Sequence, residues 1–167
     1  MPGLPIRRVP DPILNKSTHV VARIDGAVVR LIDLMIATMR HHPRCVGLAA
    51  PQIGSSLRIA VMDSSANPKA GASRGLLVLV NPVLTLGDEN SIQREGCLSI
   101  PDFTGSVRRA ARVRLKAQDR EGAAYEVALE GFEAIVAQHE VDHLDGKLFL
   151  DRVTNPATDI FRRKTYL

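Results

Sequence analysis

The segment QHEVDHLDG, residues 138–146, constrains this chain more than any other part of its sequence. It contains His139, Glu140 and His143 in the order H-E-x-x-H. On an α-helix this spacing offers two imidazoles and a carboxylate to one metal ion. Burying three such groups together is costly unless they are compensated, and a metal ion supplies that compensation. The sequence therefore predicts a central metal-binding helix.

The residues before the motif predict that this helix packs into the protein. Phe132, Ile135 and Val136 lie on the same helical stripe as the two histidines. The candidate ligands thus continue an apolar face. Glu140 is one position, about 100°, around the helix from the first histidine and can face the same cavity. Gly146 permits a left-handed cap at the helix end.

A catalytic metal site of this kind needs a third protein ligand and an open position for water. No His, Cys or Glu follows His143, so the third ligand is expected upstream. Cys97, in the segment EGCLSIP (95–101), would complete a Cys-His-His set. A second segment, VGLAAPQIG (46–54), places small residues and Gln52 where backbone can approach a ligand. The alternatives are a buried core cysteine and an ordinary turn.

Size and composition allow one domain, which we predict for residues 1–167. Hydrophobic residues make up 45% and charged residues 24%, as in globular proteins with a core. No apolar stretch approaches the roughly 20 residues that a membrane span needs. The early prolines and the lack of an apolar segment at the N-terminus do not fit a targeting peptide. We therefore expect a cytoplasmic protein without a membrane partner.

The formal net charge of +4 is moderate. Its densest run is FRRKTY at 161–166, in which Arg162, Arg163 and Lys164 could contact ribosomal RNA transiently. The alternative is a solvated chain end. No aromatic-basic nucleic-acid motif accompanies the run, so no DNA partner is expected.

Hydrophobic periodicity predicts an α+β fold of mainly antiparallel strands around the metal-binding helix. Apolar residues recur at three- and four-residue steps over 24–42, which predicts an N-terminal amphipathic helix stopped by Pro43. Short apolar runs predict strands at 57–63 and 75–84, joined by an exposed loop at 64–75.

A hairpin with one buried face is predicted from alternating residues on both sides of the turn REG. In segment 111–119, Val113, Leu115 and Ala117 alternate with polar residues, and segment 123–131 alternates in the same way. Such alternation is typical of antiparallel strands with one face on the core.

The three segments together resemble the peptide deformylase family. That family carries G-x-G-L-A-A-x-Q, E-G-C-L-S and Q-H-E-x-D-H segments in this order, and here they read CVGLAAPQ, EGCLS and QHEVDH. The last two match throughout. The flanks, from VPDPIL to HLDGKLF, extend the resemblance over nearly the whole chain. It implies hydrolysis of the formyl group from formyl-methionine at the start of nascent polypeptides, in a bacterial cytoplasm.

The resemblance also implies a metal site and an acid–base residue. Cys97, His139 and His143 would hold one divalent ion, which in the family is typically Fe²⁺ and sometimes Zn²⁺, with Ni²⁺ and Co²⁺ as alternatives. A thiolate with two imidazoles suits both iron and zinc. Glu140 would take a proton from the attacking water and then give it to the leaving amine.

Further roles follow from the same resemblance. The Gln52 amide and the Leu98 backbone N–H would stabilise the oxyanion that develops on the formyl group. Gly47 would let its backbone pair with an extended substrate. Ile135 and Val136 would line an apolar pocket for methionine, although plain core packing is an equal alternative for each.

Two positions depart from the family pattern. Cys45 stands at the first glycine of its motif, so we predict a thiol near the cleft that narrows it or changes substrate preference. Thr104 lies about where many relatives carry an arginine that holds the substrate backbone. Arg108 or Arg109 are candidates to replace it. The segment TDIFRRKTYL is short for the long helix through which some members dock on the ribosome.

Two other classes of protein remain as alternatives. A zinc aminopeptidase or endopeptidase would be expected to carry a His or Glu ligand downstream of the motif. A non-enzymatic metal-bearing or peptide-binding relative would be expected to lack Glu140, Gln52 or a ligand, and all are present.

Overall fold

The computed structural model describes residues 3–164. Within that range the strands are β1 Gly47–Ala49, β2 Ile59–Met62, β3 Leu77–Leu86, β4 Asn90–Cys97, β5 Ile100–Ala110, β6 Arg112–Gln118, β7 Ala124–Glu130 and β8 Ile160–Arg162. The α-helices are α1 Gly26–His41, α2 Gly131–Leu144 and α3 Pro156–Asp159. Short 3₁₀ helices cover Pro12–Asn15, Ala50–Ile53 and Phe149–Arg152.

The strands form two sheets in which every strand pair is antiparallel. One sheet has the order β1-β2-β3-β6-β7, and the other has the order β4-β5-β8. The predicted α+β class with mainly antiparallel strands is confirmed. The predicted hairpin is β6–β7, in which Arg112 pairs with Glu130 and Gln118 with Ala124. Val113, Leu115 and Ala117 form its buried face, as predicted.

The five-stranded sheet lies between α1 and α2. Strand β2 is apolar throughout because both of its faces are covered. Ile59 and Val61 belong to the core cluster that includes α1, whereas Ala60 and Met62 belong to the cluster that includes α2. Successive side chains of a strand point to opposite faces, so both faces of β2 are covered. The Asp25 carboxylate caps α1 by accepting from two backbone N–H groups.

Helix α2 contacts strands of both sheets and buries more than the predicted apolar stripe. Five of its buried residues are polar or charged, and two of them bond to neighbouring segments. Glu133 accepts from the Arg74 N–H at 2.7 Å, which ties the 64–75 loop to the start of the helix. The Gln138 amide bonds to both the N–H and the carbonyl of Ala110, at 3.0 and 2.8 Å. The other three, Glu140, Asp142 and His143, belong to the candidate site.

The sequence analysis assigned no strands to residues 90–110, yet they form the long β4–β5 hairpin that ends at the Cys97–Ile100 pair. The 64–75 segment is a loop, as predicted, but Ser64 and Ala70 within it are buried rather than exposed. Gly146 has φ 73°, as its predicted capping position requires. Among residues 3–164, no helix is both long and apolar enough to cross a bilayer.

Candidate metal centre and active site

Cys97, His139 and His143 meet at the end of strand β4. One donor atom from each lies within 4.8 Å of the others. The histidines occupy successive turns of α2, with ring centroids 4.9 Å apart. The Cys97 Sγ is 3.3 Å from the His143 Nε2. This convergence of a thiol and two imidazoles fits one divalent transition-metal ion.

The electrostatics of this cluster favour a thiolate. Burial opposes ionisation, but the charges of His143 and His139 and their hydrogen bonds hold the pKa of Cys97 well below its ordinary value. A thiolate is the form of cysteine that binds metals. The thiol of this donor set therefore has the ionisation state that a metal needs.

The orientation of His139 is fixed by Glu95. The His139 Nδ1 lies 2.8 Å from the Glu95 Oε1, which leaves Nε2 as the nitrogen available to a metal. Burial raises the pKa of Glu95, but its bonds to Arg109 and His139 prevail and lower it to about 2. Glu95 is thus an ionised carboxylate behind the candidate ligand. Sequence reasoning missed this role, although Glu95 opens the EGCLS segment.

The Glu140 carboxylate lies against the backbone of Gly47. Any side chain at position 47 would collide with it, so the close approach requires glycine. The Glu140 Oε2 is buried and has no hydrogen-bond partner among the described residues. Burial raises the pKa of Glu140 to about 7, although His139 and His143 oppose the shift. A carboxyl group with this pKa can both accept and donate a proton near neutral pH.

The Gln52 side chain is oriented by the backbone next to it. Its Oε1 accepts from the Ala49 N–H at 3.0 Å, so its Nε2 must point the other way. That NH₂ group donates to the Cys97 Sγ at 3.4 Å and to the Ser99 Oγ at 3.2 Å. An amide donor is therefore held beside the candidate metal ligand. Leu98 follows that ligand directly and lines the same cleft.

A cleft of about 320 Å³ opens above these groups. All four residues predicted to bind substrate line it: Cys45, Gly47, Ile135 and Val136. The last two are each only 5% exposed, so they take part in core packing as well. The Cys45 thiol donates to the Gly47 carbonyl at 3.1 Å, and burial raises its pKa to about 12.

Comparison with known proteins decides the family. The model of the family described as "Polypeptide deformylase" matches residues 4–159. The chain belongs to this family. The peptide deformylase of Bartonella henselae is 44% identical over 165 residues, which cover 98% of this chain and 92% of the relative. That of Thermodesulfovibrio yellowstonii is 39% identical over 161 residues, covering 96% of this chain and 95% of the relative.

Solved structures of deformylases support the same family assignment. The deformylase crystal structure from Thermotoga maritima has a TM-score of 0.83 at 38% identity and covers 92% of this chain and 99% of its own. A Met-Ala-Ser-bound deformylase from Acinetobacter baumannii has a TM-score of 0.84 at 36% identity, covering 90% and 98%. Deformylases are metal-dependent hydrolases that remove the formyl group from nascent peptides, and this chain has that activity. Nothing favours the peptidase or non-enzymatic alternatives.

In this deformylase, Arg109 does not contact the substrate cleft, contrary to the suggestion made from the sequence. Its guanidinium is 4% exposed and makes two 2.8 Å hydrogen bonds to Glu95 and another to Asp142. Asp142 also binds Arg152 at 2.7 Å. Arg108 points to solvent and is not among the described cleft-lining residues. Neither arginine replaces the one expected at position 104.

The deformylase cleft is lined by three arginines that sequence reasoning did not assign to it, Arg44, Arg94 and Arg163. From the sequence, Arg163 is expected either as a candidate RNA contact or as part of a solvated chain end, because it lies in a basic run. No local pattern could have placed it here. Its position depends on the pairing of β8 with β5, which are far apart in sequence.

Proposed function

We propose that this deformylase hydrolyses formyl-methionine peptides at a metal ion held by Cys97, His139 and His143, with α2 as the metal-binding helix. One observation carries the proposal. Three donor atoms lie within 4.8 Å at the base of a cleft, beside a buried carboxylate oxygen with no hydrogen-bond partner among the described residues. The Met-Ala-Ser bound to the Acinetobacter baumannii relative supports a methionine at the substrate N-terminus.

We propose Fe²⁺ as the native ion, with Zn²⁺, Ni²⁺ and Co²⁺ as alternatives. One soft thiolate and two imidazoles are the donors that support this choice. When bound, such an ion activates water by lowering its pKa to about 7 and polarises the carbonyl. The Glu95 carboxylate keeps His139 in the orientation that presents Nε2 to the ion.

Glu140 is the proposed general base and then general acid. Its unpartnered Oε2 is available to receive a proton from the attacking water, and burial keeps its pKa near neutrality. The same oxygen would return the proton to the amine as formate leaves. A positioned acid–base group typically contributes about 10²–10⁴-fold to a rate.

The oxyanion would be stabilised by the Gln52 Nε2 and the Leu98 backbone N–H. The bond from Ala49 to the Gln52 Oε1 holds the amide in place before substrate arrives. Such preorganised donors are each worth about 3 kcal/mol in the transition state.

The substrate chain is proposed to enter as an extended strand. Strands β1 and β4 are each at the end of their sheet order, and residues from both line the cleft. An edge strand offers free backbone groups to an added peptide, so Gly47 could pair with it. Ile135 and Val136 would contact the methionine side chain. Cys45, in the same wall, would narrow the cleft or shift substrate preference.

The remaining proposals concern the chain as a whole. We propose one catalytic domain, in which the amphipathic helix α1 supports the sheet behind the cleft. A cytoplasmic setting, with formylated nascent peptides as partners, stays a prediction. So does a transient ribosome contact through Arg162, Arg163 and Lys164, and Thr165 and Tyr166 of that run lie outside the described residues.

Formate release from formyl-Met-Ala-Ser tests the proposal. Protein purified without oxygen would be loaded separately with Fe²⁺, Zn²⁺, Ni²⁺ or Co²⁺ and compared with the Glu140→Gln variant. We expect metal-dependent release that the variant lacks, with Fe²⁺ the most active. The absorption of the Co²⁺-loaded protein gives a second readout, since Cys97→Ser should remove its thiolate charge-transfer band. Stoichiometric binding without formate release would contradict the proposed chemistry.

A further inference from the structure

We propose that Arg163 holds the substrate peptide in this cleft, donating to the carbonyl oxygen of the residue after the formylated one. The inference rests on the proposed site and adds a specificity-determining residue to it. The sheet register fixes the side of β8 on which Arg163 emerges.

Strand β8 pairs with β5 so that Thr104 faces Phe161 and Phe103 faces Arg162. The pairing continues one step further, because the Arg163 N–H donates to the Asp102 carbonyl at 2.8 Å. Side chains alternate along a strand, so Arg163 emerges on the face of Phe161, while Arg162 emerges on the opposite face.

The face that carries Arg163 borders the cleft through Arg94 and Gly96. Thr104 pairs with Gly96 across the β4–β5 ladder, so these two residues lie on the same face as Phe161 and Arg163. The contact is direct, because a Cβ added at Gly96 would lie 3.4 Å from the Arg163 Cζ and 3.5 Å from the Thr104 Cγ2. The guanidinium thus lies over Gly96, one residue before the candidate ligand Cys97.

A second contact holds β8 in this position. The Arg94 guanidinium stacks over the Phe161 ring, 3.7 Å from its centroid. Both arginines are exposed at the cleft wall, but the Arg94 guanidinium is stacked on Phe161. The other cations at the rim, Arg44 and Lys69, precede β1 or lie in the 64–75 loop.

The chemistry of a guanidinium specifies what it binds. It has five N–H donors and no acceptor, so it recognises groups that only accept. An extended peptide beside β4 presents such groups as backbone carbonyls. The contact lies away from the scissile amide, so its binding free energy should be the same in the ground state and the transition state. Its loss should therefore raise KM and leave kcat unchanged. A charged hydrogen bond predicts a rise of about 10- to 100-fold.

The same geometry explains how the chain does without an arginine at position 104. Thr104 and Arg163 both border Gly96, so a guanidinium from either strand can reach the same part of the cleft. Here the cation comes from β8.

The test compares Arg163→Gln with Arg162→Gln, its neighbour on the opposite face of the same strand. The substrates are formyl-Met-Ala-Ser-amide and formyl-methionine amide, which lacks the downstream carbonyl. We expect Arg163→Gln to raise KM for the tripeptide by about 10- to 100-fold and to leave hydrolysis of the short amide unchanged. Arg162→Gln should affect neither. Thr104→Arg, added to Arg163→Gln, should lower KM again.

Each other outcome contradicts the proposal. Equal losses on both substrates, or a lowered Tm, would mean that Arg163 supports the fold rather than the substrate. Equal KM values for the two variants would mean that Arg163 supports neither the fold nor substrate binding. Failure of Thr104→Arg to lower KM would contradict the placement over Gly96. Wild-type protein that releases no formate from either substrate would contradict the proposed function itself, which is a separate result.

Discussion

Replacing Arg109 with methionine would leave two carboxylates, Glu95 and Asp142, facing each other in the interior. Arg109 is 4% exposed, Glu95 7% and Asp142 6%, so little water is available to solvate the charges that remain. Removing one partner of a buried ion pair typically costs about 3–5 kcal/mol. Asp142 keeps its bonds to Arg152, so we expect the lower end, about 3 kcal/mol.

For a protein of this size, 1 kcal/mol shifts Tm by about 2–4 °C, so Arg109→Met should lower Tm by roughly 6–12 °C. Differential scanning calorimetry of the metal-free protein measures this directly. Arg108→Met is the matched control, because Arg108 is on the same strand and exposed, and its change should stay within about 0.5 kcal/mol. Equal Tm values for the two variants would refute the assignment of Arg109 as the centre of the buried network.

The pH dependence of the stability difference between wild type and Arg109→Met gives a second readout. In the wild type, the pKa of Glu95 is about 2, below its ordinary value of 4.5, because Arg109 and His139 overcome the effect of burial. Its stabilisation is therefore present above about pH 4.5 and is lost as pH falls toward 2. Without Arg109, burial raises the pKa of Glu95, and acid then relieves the unpaired charge. The stability difference between wild type and Arg109→Met should shrink between pH 7 and pH 4.

Four further outcomes are expected. Gly47→Ala should lower kcat by roughly 100-fold, because its Cβ displaces the Glu140 carboxylate; Gly26→Ala, where only a flexible arginine end is near, should leave kcat unchanged in the same steady-state assay. Cys45 should react with iodoacetamide at pH 8 far more slowly than a free thiol, since burial raises its pKa to about 12. Mass spectrometry of timed samples measures the rate, and alkylation as fast as that of a free thiol would contradict the prediction. Cys45→Gly should change the kcat/KM ratio between formyl-Met-Ala-Ser and formyl-Leu-Ala-Ser, and an unchanged ratio would argue against a role in the cleft. Tyr125→Phe removes a 2.7 Å hydrogen bond to a β3 carbonyl and should cost about 1 kcal/mol in urea unfolding, with no loss implying that water replaces the bond.

The parts of the fold that could be predicted are those in which local pattern and final environment agree. The β6–β7 hairpin has a clear alternation because one of its faces meets the core, as Val113 and Leu115 show. The candidate ligands could be found because two lie on one helix and the third lies in a short recognisable segment.

The β4–β5 hairpin was missed because polar residues and glycines interrupt its pattern. Its buried residues combine the Glu95–Arg109 contact with apolar Ile100 and Val107, so no regular apolar alternation marks its strands. Arg109 and Asp142 are 33 residues apart, and no periodicity links them. Arg163 reaches the cleft only through the β5–β8 pairing. Such long-range partners become visible only in three dimensions.

The proposed metal site joins the three-stranded sheet to helix α2, because its candidate ligands come from both. Cys97 ends β4 of the three-stranded sheet, whereas the histidines lie on α2, which begins at the residue after β7 ends. A bound ion would be a reversible cross-link between this sheet and α2, and part of its binding free energy would become folding free energy. Metal loading and cooperative unfolding are therefore linked. In hydrogen exchange, the metal-free enzyme should open the β4–β5–β8 sheet on its own, and the loaded enzyme should open this sheet and α2 together.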